Sequence, residues 1–100
     1  MALMEISVVP LGTGSTSLSS WIAQVVLEVE KSGLEYSLHD MGTTISGDVQ
    51  QLLALAARLH EVPFENGASR VYTVIKIDDR RDKSRSIGQK TSSVLEKMKG

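Results

Sequence analysis

The chain of 100 residues contains no cysteine, only two prolines and only four aromatic residues. Without cysteine it has no disulfide bonds and no thiolate chemistry, as is typical of cytoplasmic proteins. No apolar run approaches the roughly 20 residues that cross a bilayer, and the first residues lack the basic and apolar regions of a secretory signal. We therefore expect a cytoplasmic protein that has no membrane partner.

An excess of charge of either sign is also missing. The chain has 11 Lys and Arg residues against 12 Asp and Glu residues, and its formal net charge is -1. A surface that binds nucleic acid through phosphate contacts needs a local excess of positive charge, so we expect no nucleic-acid partner. The chain is 41% apolar and 23% charged, which is typical of globular proteins, and its length predicts a single domain over residues 1–100.

Alternating and helical spacings of apolar residues predict four strands and three helices. The predicted strands span residues 4–9, 34–39, 43–46 and 70–77, and the predicted helices span 18–31, 48 to a point within 60–67, and about Ser86 onward. Ser15–Ser17 are expected to supply the N-cap of the first helix, and Pro63 is expected to distort the end of the second. Leu52 and Leu53 are both placed on the core face of that second helix.

This order of elements predicts an α+β fold, a ferredoxin-like β-α-β-β-α-β sandwich with an extra C-terminal helix. Two helices would cover one face of a four-stranded antiparallel sheet. The strand at 70–77 is apolar on both faces, because Tyr72 and Val74 lie opposite the row that contains Ile75. Either the terminal helix or a second subunit must cover the other face, and we favour a second subunit because a small chain buries little surface alone.

The turn Gly12–Ser17 lies between a strand and a helix N-terminus, where backbone N–H groups can receive an anion. It lacks the lysine of a P-loop and the third glycine of a dinucleotide fingerprint. It can therefore serve as a plain turn or as the polar rim of a ligand pocket. An enzyme that used an anion here would need a titratable residue nearby, and the turn offers none.

The two histidines each precede a carboxylate, in His39-Asp40 and His60-Glu61. Adjacent strand residues point to opposite faces, and no second histidine of a zincin motif follows His60, so we expect no metal site. Both histidines are interpreted as surface or helix-end residues. No nucleophile elbow is present either, so we expect no catalytic residues, no enzymatic activity and no cofactor.

Trp21 and the charged segment Asp78–Lys83 each allow two interpretations. Trp21 belongs to the apolar stripe of the first helix, where it is most simply core, but its ring could also form the wall of a pocket. The segment Asp78–Lys83 has three acidic and three basic residues. It could be a solvated turn or a self-complementary cluster between subunits.

Six segments of this sequence recur, in the same order, in one known family. They are Pro10–Gly14, Ser17–Ser19, Ser32–Tyr36, Met41–Ile45, His60-Glu61 and Arg70–Asp82. Over nearly its whole length the chain thus resembles the ferredoxin-like thiamine-binding family, long catalogued as an uncharacterised protein family. The resemblance implies subunits that form homodimers or homotetramers through their sheets, and that bind thiamine or its hydroxymethylpyrimidine moiety without established catalysis. Ser46 departs from the family, where many relatives carry an acidic residue before Gly47.

The ligand that this resemblance implies needs a mainly apolar pocket with a few orienting polar groups. The expected ligand-binding residues are Ser7, Ser17, Trp21, Met41, Thr43 and Thr44. Met41 and Trp21 would supply apolar contact, while Thr43, Thr44 and Ser17 would hydrogen-bond the pyrimidine edge. The two threonines could instead serve only the β propensity of a hairpin.

The sequence therefore predicts a non-enzymatic, homo-oligomeric binding protein for thiamine or its hydroxymethylpyrimidine moiety, with thiamine a ligand rather than a cofactor. The alternative is an oligomeric interaction or regulatory module that has no small-molecule ligand. A sheltered pocket with converging hydroxyls favours the first hypothesis, whereas the same volume filled by side chains favours the second.

Overall fold

The elements of the structure, a computed structural model that describes residues 1–83 and 87–100, follow the expected order. They are β1 (Ala2–Pro10), α1 (Ser19–Ser32), β2 (Tyr36–His39), β3 (Gly42–Gly47), α2 (Val49–Glu65), β4 (Val71–Asp79) and α3 (Gln89–Met98). The predicted start of the final helix, near Ser86, lies outside the described residues.

The four strands form one antiparallel sheet in the order β2-β3-β1-β4. Strands β1 and β3 are thus central neighbours, although α1 and β2 separate them along the chain. Helices α1 and α2 pack on one face of this sheet, which we call the inner face. The predicted α+β ferredoxin-like fold with an additional C-terminal helix is confirmed.

The core lies between the inner face and the two helices. Alternate residues of β1 point into it, as the predicted alternation requires. The buried apolar residues are Ala2, Met4, Ile6, Val8, Val25, Val29, Ile45, Leu52, Ala56, Leu59 and Val62. Leu53, which was placed on the core face of α2, is 51% exposed instead, because the helix turns that side chain away from the sheet.

The predicted N-cap of the first helix needs correction. Helix α1 has Leu18 at its N-cap and no side-chain cap, and the hydroxyl of Ser15 accepts a hydrogen bond from the backbone N–H of Ser17 (3.1 Å) instead. Helix α2 ends at Glu65, within the predicted range 60–67, and includes Pro63. The ring of Pro63 is buried, so its packing offsets the helical hydrogen bond that proline cannot donate.

The second face of the sheet, which we call the outer face, remains open. Tyr72 is 60% exposed and Val74 is 37% exposed. Beside them a row of three polar side chains crosses the sheet, with Glu5 in the middle. Nε2 of His39 lies 3.7 Å from Oε2 of Glu5, and Nζ of Lys76 lies 3.6 Å from Oε1 of Glu5. The described part of the terminal helix leaves Tyr72 and Val74 uncovered.

His60 is neither a free surface residue nor a helix-end residue. Its Nδ1 lies 2.8 Å from the hydroxyl of Thr73, and its ring meets that of Phe64 edge to face, with centroids 5.5 Å apart. The histidine therefore joins α2 to β4 from a half-buried position within the helix.

The adjacent residues Leu52 and Leu53 provide a matched test of this packing. Leu52 is fully buried, so Leu52→Ala should lower the free energy of unfolding by about 2–5 kcal/mol. Leu53→Ala makes the same chemical change on the exposed side of α2 and should cost less than about 1 kcal/mol. Urea unfolding measures both, and similar losses would contradict the orientation of α2.

Candidate functional site

A cleft of about 280 Å³ opens where the sheet narrows from four strands to two, because β2 and β3 end together at their turn. Strand β1 pairs with β4 as far as Pro10, but its pairing with β3 ends at Ile6, opposite Thr43. Residues Ser7–Val9 therefore have the β2–β3 turn, rather than a strand, beside them. The start of helix α1, at Leu18 and Ile22, packs over this gap on the inner face.

Three elements line the cleft, and most of its wall is apolar. The lining residues are Ile6–Val9 of β1, Leu18, Ile22, Val25 and Val26 of the α1 region, and Leu38–Thr43 of the β2–β3 hairpin. Thr43 and Asp40 bring polar side chains to the cleft, whereas Ser7 and His39 turn theirs to the outer face. An apolar wall with a few polar groups is typical of sites for small organic ligands.

Thr43 supplies a hydroxyl to this wall. The residue is only 5% exposed, and among residues 1–83 and 87–100 its hydroxyl has no hydrogen-bond partner. The hydroxyl is therefore available to a ligand in the cleft that offers a hydrogen bond.

Gly42 allows the hairpin to approach β1 at the closed end of the cleft. A Cβ atom at this position would lie 2.8 Å from the carbonyl oxygen of Ile6, which is closer than real Cβ contacts. Glycine therefore fixes the distance between the β2–β3 turn and β1. That distance in turn fixes how Thr43 faces the cleft.

Asp40 gives the rim of the cleft a negative charge. It is exposed in the turn of the hairpin and has no ion-pair partner within the described part of the chain. The nearest histidine, His39, turns its ring to the outer face, where Nε2 lies 3.2 Å from the hydroxyl of Thr44. The rim therefore suits a ligand that is cationic at one end.

The cleft brings together only some of the residues expected at the site. Ser7, Met41 and Thr43 line it. Thr44 does not, because adjacent strand residues point to opposite faces and its hydroxyl meets His39 on the outer face. Ser17 precedes α1 and is exposed, and it contributes nothing to the lining.

Trp21 is also absent from the lining, although its neighbour Ile22 is part of it. The helix carries the indole of Trp21 past the cleft to a half-buried position. Sequence reasoning missed Ile22, Val26 and Asp40 as site residues. Ile22 and Val26 belong to the apolar stripe of α1 that the sequence predicts. Which residues of that stripe face the cleft rather than the core depends on where β1 stops pairing with β3.

The charged connector Asp78–Lys83 satisfies much of its charge locally. The guanidinium of Arg80 donates to both carboxylate oxygens of Asp82 (2.6 and 2.9 Å), and that of Arg81 donates to Asp79 (2.7 and 3.0 Å). These hydrogen bonds lower the pKa of Asp79 and of Asp82. The pairing favours the interpretation of this segment as a solvated turn.

Within residues 1–83 and 87–100, no cluster of three or more His, Cys, Asp or Glu side chains has the geometry to hold a metal ion. No helix in those ranges has both the length and the apolar character to cross a membrane.

Comparison with known proteins decides the family. A family model described as thiamine-binding protein matches residues 4–95. The chain belongs to this family. A UPF0045 protein of Methanothermobacter thermautotrophicus is 42% identical over 99 residues, which cover 98% of this chain and 100% of that protein. A UPF0045 protein of Staphylococcus xylosus is 40% identical over 98 residues, which cover 94% of this chain and 92% of that protein.

Solved structures of other proteins share the fold of this thiamine-binding family member. Hypothetical protein MJ1052 of Methanocaldococcus jannaschii superposes with a TM-score of 0.84 at 30% identity, over 95% of this chain and 96% of that one. A Thermotoga maritima protein, assigned provisionally to thiamine biosynthesis or salvage, superposes with a TM-score of 0.77 at 22% identity. The superposition covers 93% of this chain and 97% of that one. At that identity the second likeness supports the fold alone.

Proposed function

We propose that this protein binds thiamine or its hydroxymethylpyrimidine moiety, without catalysis, in the cleft between β1, α1 and the β2–β3 hairpin. One observation carries the proposal: the buried hydroxyl of Thr43 has no partner in the described residues and lies in the wall of an apolar cleft. Membership of the thiamine-binding protein family supports the choice of ligand.

The chemistry of thiamine matches the distribution of groups around the cleft. Its aminopyrimidine is flat and has donor and acceptor edges, which suit the hydroxyl of Thr43. Its faces suit the aliphatic side chains of Ile22 and Val26. The thiazolium carries a permanent positive charge, which suits the carboxylate of Asp40 at the rim.

Met41 is the adaptable part of this wall. It is 82% exposed at the tip of the hairpin, next to the opening. A methionine side chain is flexible and polarisable, so it can fold over an aromatic ring. Closure by Met41 would bury apolar surface that water now contacts, which would strengthen binding.

The groups around the cleft suit binding better than catalysis. The polar side chains that face the cleft are the hydroxyl of Thr43 and the carboxylate of Asp40, while the imidazole of His39 is engaged with Thr44 and Glu5 on the outer face. No acid–base pair of described residues therefore converges on the cleft. We propose that the protein acts as a cytoplasmic homo-oligomer, a dimer or a tetramer, because Tyr72 and Val74 leave the outer face partly apolar.

The same outer face favours one alternative function. An oligomeric interaction or regulatory module would use Tyr72 and Val74 as its working surface and would need no ligand. Ligand titration separates the two functions, because only the binding protein gains stability from thiamine.

Thermal unfolding with thiamine, thiamine phosphate and hydroxymethylpyrimidine tests the proposed ligand. A ligand of the native state raises stability by RT ln(1 + [L]/Kd), which is about 2.7 kcal/mol at a hundredfold excess over Kd. We expect a saturating rise in melting temperature, larger for cationic thiamine than for neutral hydroxymethylpyrimidine because of Asp40. No shift with any of the three at millimolar concentration would contradict the proposal.

Thr43→Val tests the proposed site. The variant removes the hydroxyl at nearly constant volume, so thiamine affinity should fall by about 3- to 10-fold, the value of one hydrogen bond. Stability without ligand should hold or rise, because the buried polar group is gone.

Thr44→Val is the matched control, since it makes the same change one residue along and on the outer face. Its thiamine affinity should equal that of the wild type in isothermal titration calorimetry. If Thr44→Val weakened binding and Thr43→Val did not, the ligand would lie on the opposite face of the sheet.

A further inference from the structure

The walls of the cleft have almost no charge of their own. The cleft continues along α1 as an open groove, and the two share the lining residues Ile22, Val26, Leu38, His39 and Asp40. No lysine or arginine among the described residues lines the cleft or the groove. Residues 6–27, from which β1 and α1 supply their parts of the walls, include no charged side chain. Any charge in the walls therefore comes from the β2–β3 hairpin.

The hairpin brings one carboxylate and one imidazole to this region. Asp40 is exposed and forms no ion pair with another described residue. The ring of His39 is turned to the outer face, where Nε2 lies 3.2 Å from the hydroxyl of Thr44 and 3.7 Å from the carboxylate of Glu5. A proton on His39 is therefore balanced by Glu5. Asp40 decides the sign of the electrostatic potential at the opening of the cleft.

Asp40 also lies beside the start of α1, where backbone N–H groups are suited to holding a phosphate. The helix has no acidic residue in its own first turn. Asp40 lines the groove together with Ser19, the first residue of α1. A carboxylate at this end complements the helix dipole, so the protein itself provides the negative charge that a phosphate would bring.

A phosphate ester of the ligand is therefore a poor match to this site. A phosphate monoester carries about two negative charges at neutral pH, and protein sites for it supply arginine, lysine or a free helix N-terminus. In this cleft the phosphate would exchange water for apolar walls and would face the carboxylate of Asp40. Unphosphorylated thiamine brings only the positive charge that Asp40 attracts.

We infer that the cleft selects thiamine and hydroxymethylpyrimidine over their phosphate esters, and that Asp40 is the residue that determines this specificity. The inference rests on the proposed function and names the form of the ligand within it. On this account the protein handles the free vitamin or its free precursor rather than the phosphorylated forms.

Isothermal titration calorimetry with two matched pairs of ligands tests the inference. The pairs are thiamine with thiamine phosphate, and hydroxymethylpyrimidine with its phosphate. A chelator in the buffer prevents a divalent cation from bridging the phosphate to Asp40. We expect each ester to bind about 5- to 10-fold more weakly than its parent, the effect of like charges near a protein surface. High salt should narrow the difference, because it screens exposed charges.

Asp40→Asn tests the assignment to this residue. The variant keeps the shape of the side chain and removes its charge, so the ratio of the two dissociation constants in each pair should fall by at least about threefold, toward one. The pyrimidine pair has no thiazolium, so its ratio reports the repulsion of the phosphate alone. Asp40 is an exposed turn residue and asparagine suits turns, so the urea midpoint should stay near that of the wild type.

Glu61→Gln is the matched control. It removes the same charge from an exposed position of α2 that lies outside the lining of the cleft and of the groove. Both ratios should therefore keep their wild-type values.

Esters that bind as tightly as their parents would overturn the inference, and so would an Asp40→Asn variant whose ratios match those of the wild type. In both cases the parent ligands still bind, so the proposed function stands. A protein that binds none of the four ligands contradicts the proposed function, and the inference fails with it.

Discussion

The backbone pairing of β1 with β3 ends at Ile6, while its pairing with β4 continues to Pro10. This difference in length leaves the end of β1 without a strand on one side. The β2–β3 turn and the start of α1 approach the gap but do not fill it, which produces the cleft. Gly42 lets the β2–β3 turn come close to β1 at the end of the cleft, because a Cβ atom there would clash with the carbonyl oxygen of Ile6.

Local pattern explains why most of the fold could be predicted from the sequence. Alternation in β1 and the helical stripe of α1 each identify one buried side, and the order of elements leaves few topologies. Errors arose where one local pattern allows two outcomes. A local turn engages the hydroxyl of Ser15 before it can cap α1, and the helix turns Leu53 away from the core face on which it was placed.

The candidate site was only partly predictable for the same reason. The β2–β3 hairpin could be identified from its residues, and strand alternation places Thr43 and Thr44 on opposite faces. Which of the two lies beside the cleft depends on where β3 stops pairing with β1. In the sequence Asp40 is an ordinary turn residue, and only the structure shows that it lies at the rim of the cleft. Pairwise spacing along the chain carries no information about such a gap, because the gap arises between elements distant in sequence.

The two faces of the sheet thus have separate roles in this account. The inner face holds the core and, at its edge, the cleft in which we propose that the ligand binds. The outer face carries the exposed side chains of Tyr72 and Val74, which we propose as a contact between copies. Ser7 and Val9 of β1 lie next to both regions, because they line the cleft and also pair with Val74 and Tyr72.

The most direct test of the central claim is to map amide chemical-shift changes in the protein by NMR during titration with thiamine. The account predicts saturating changes at Ile6–Val9, at Ile22 and Val26, and at Asp40–Thr43. Changes confined to the Gly12–Ser17 turn or to the outer strip of β4 would place the ligand elsewhere and contradict the account.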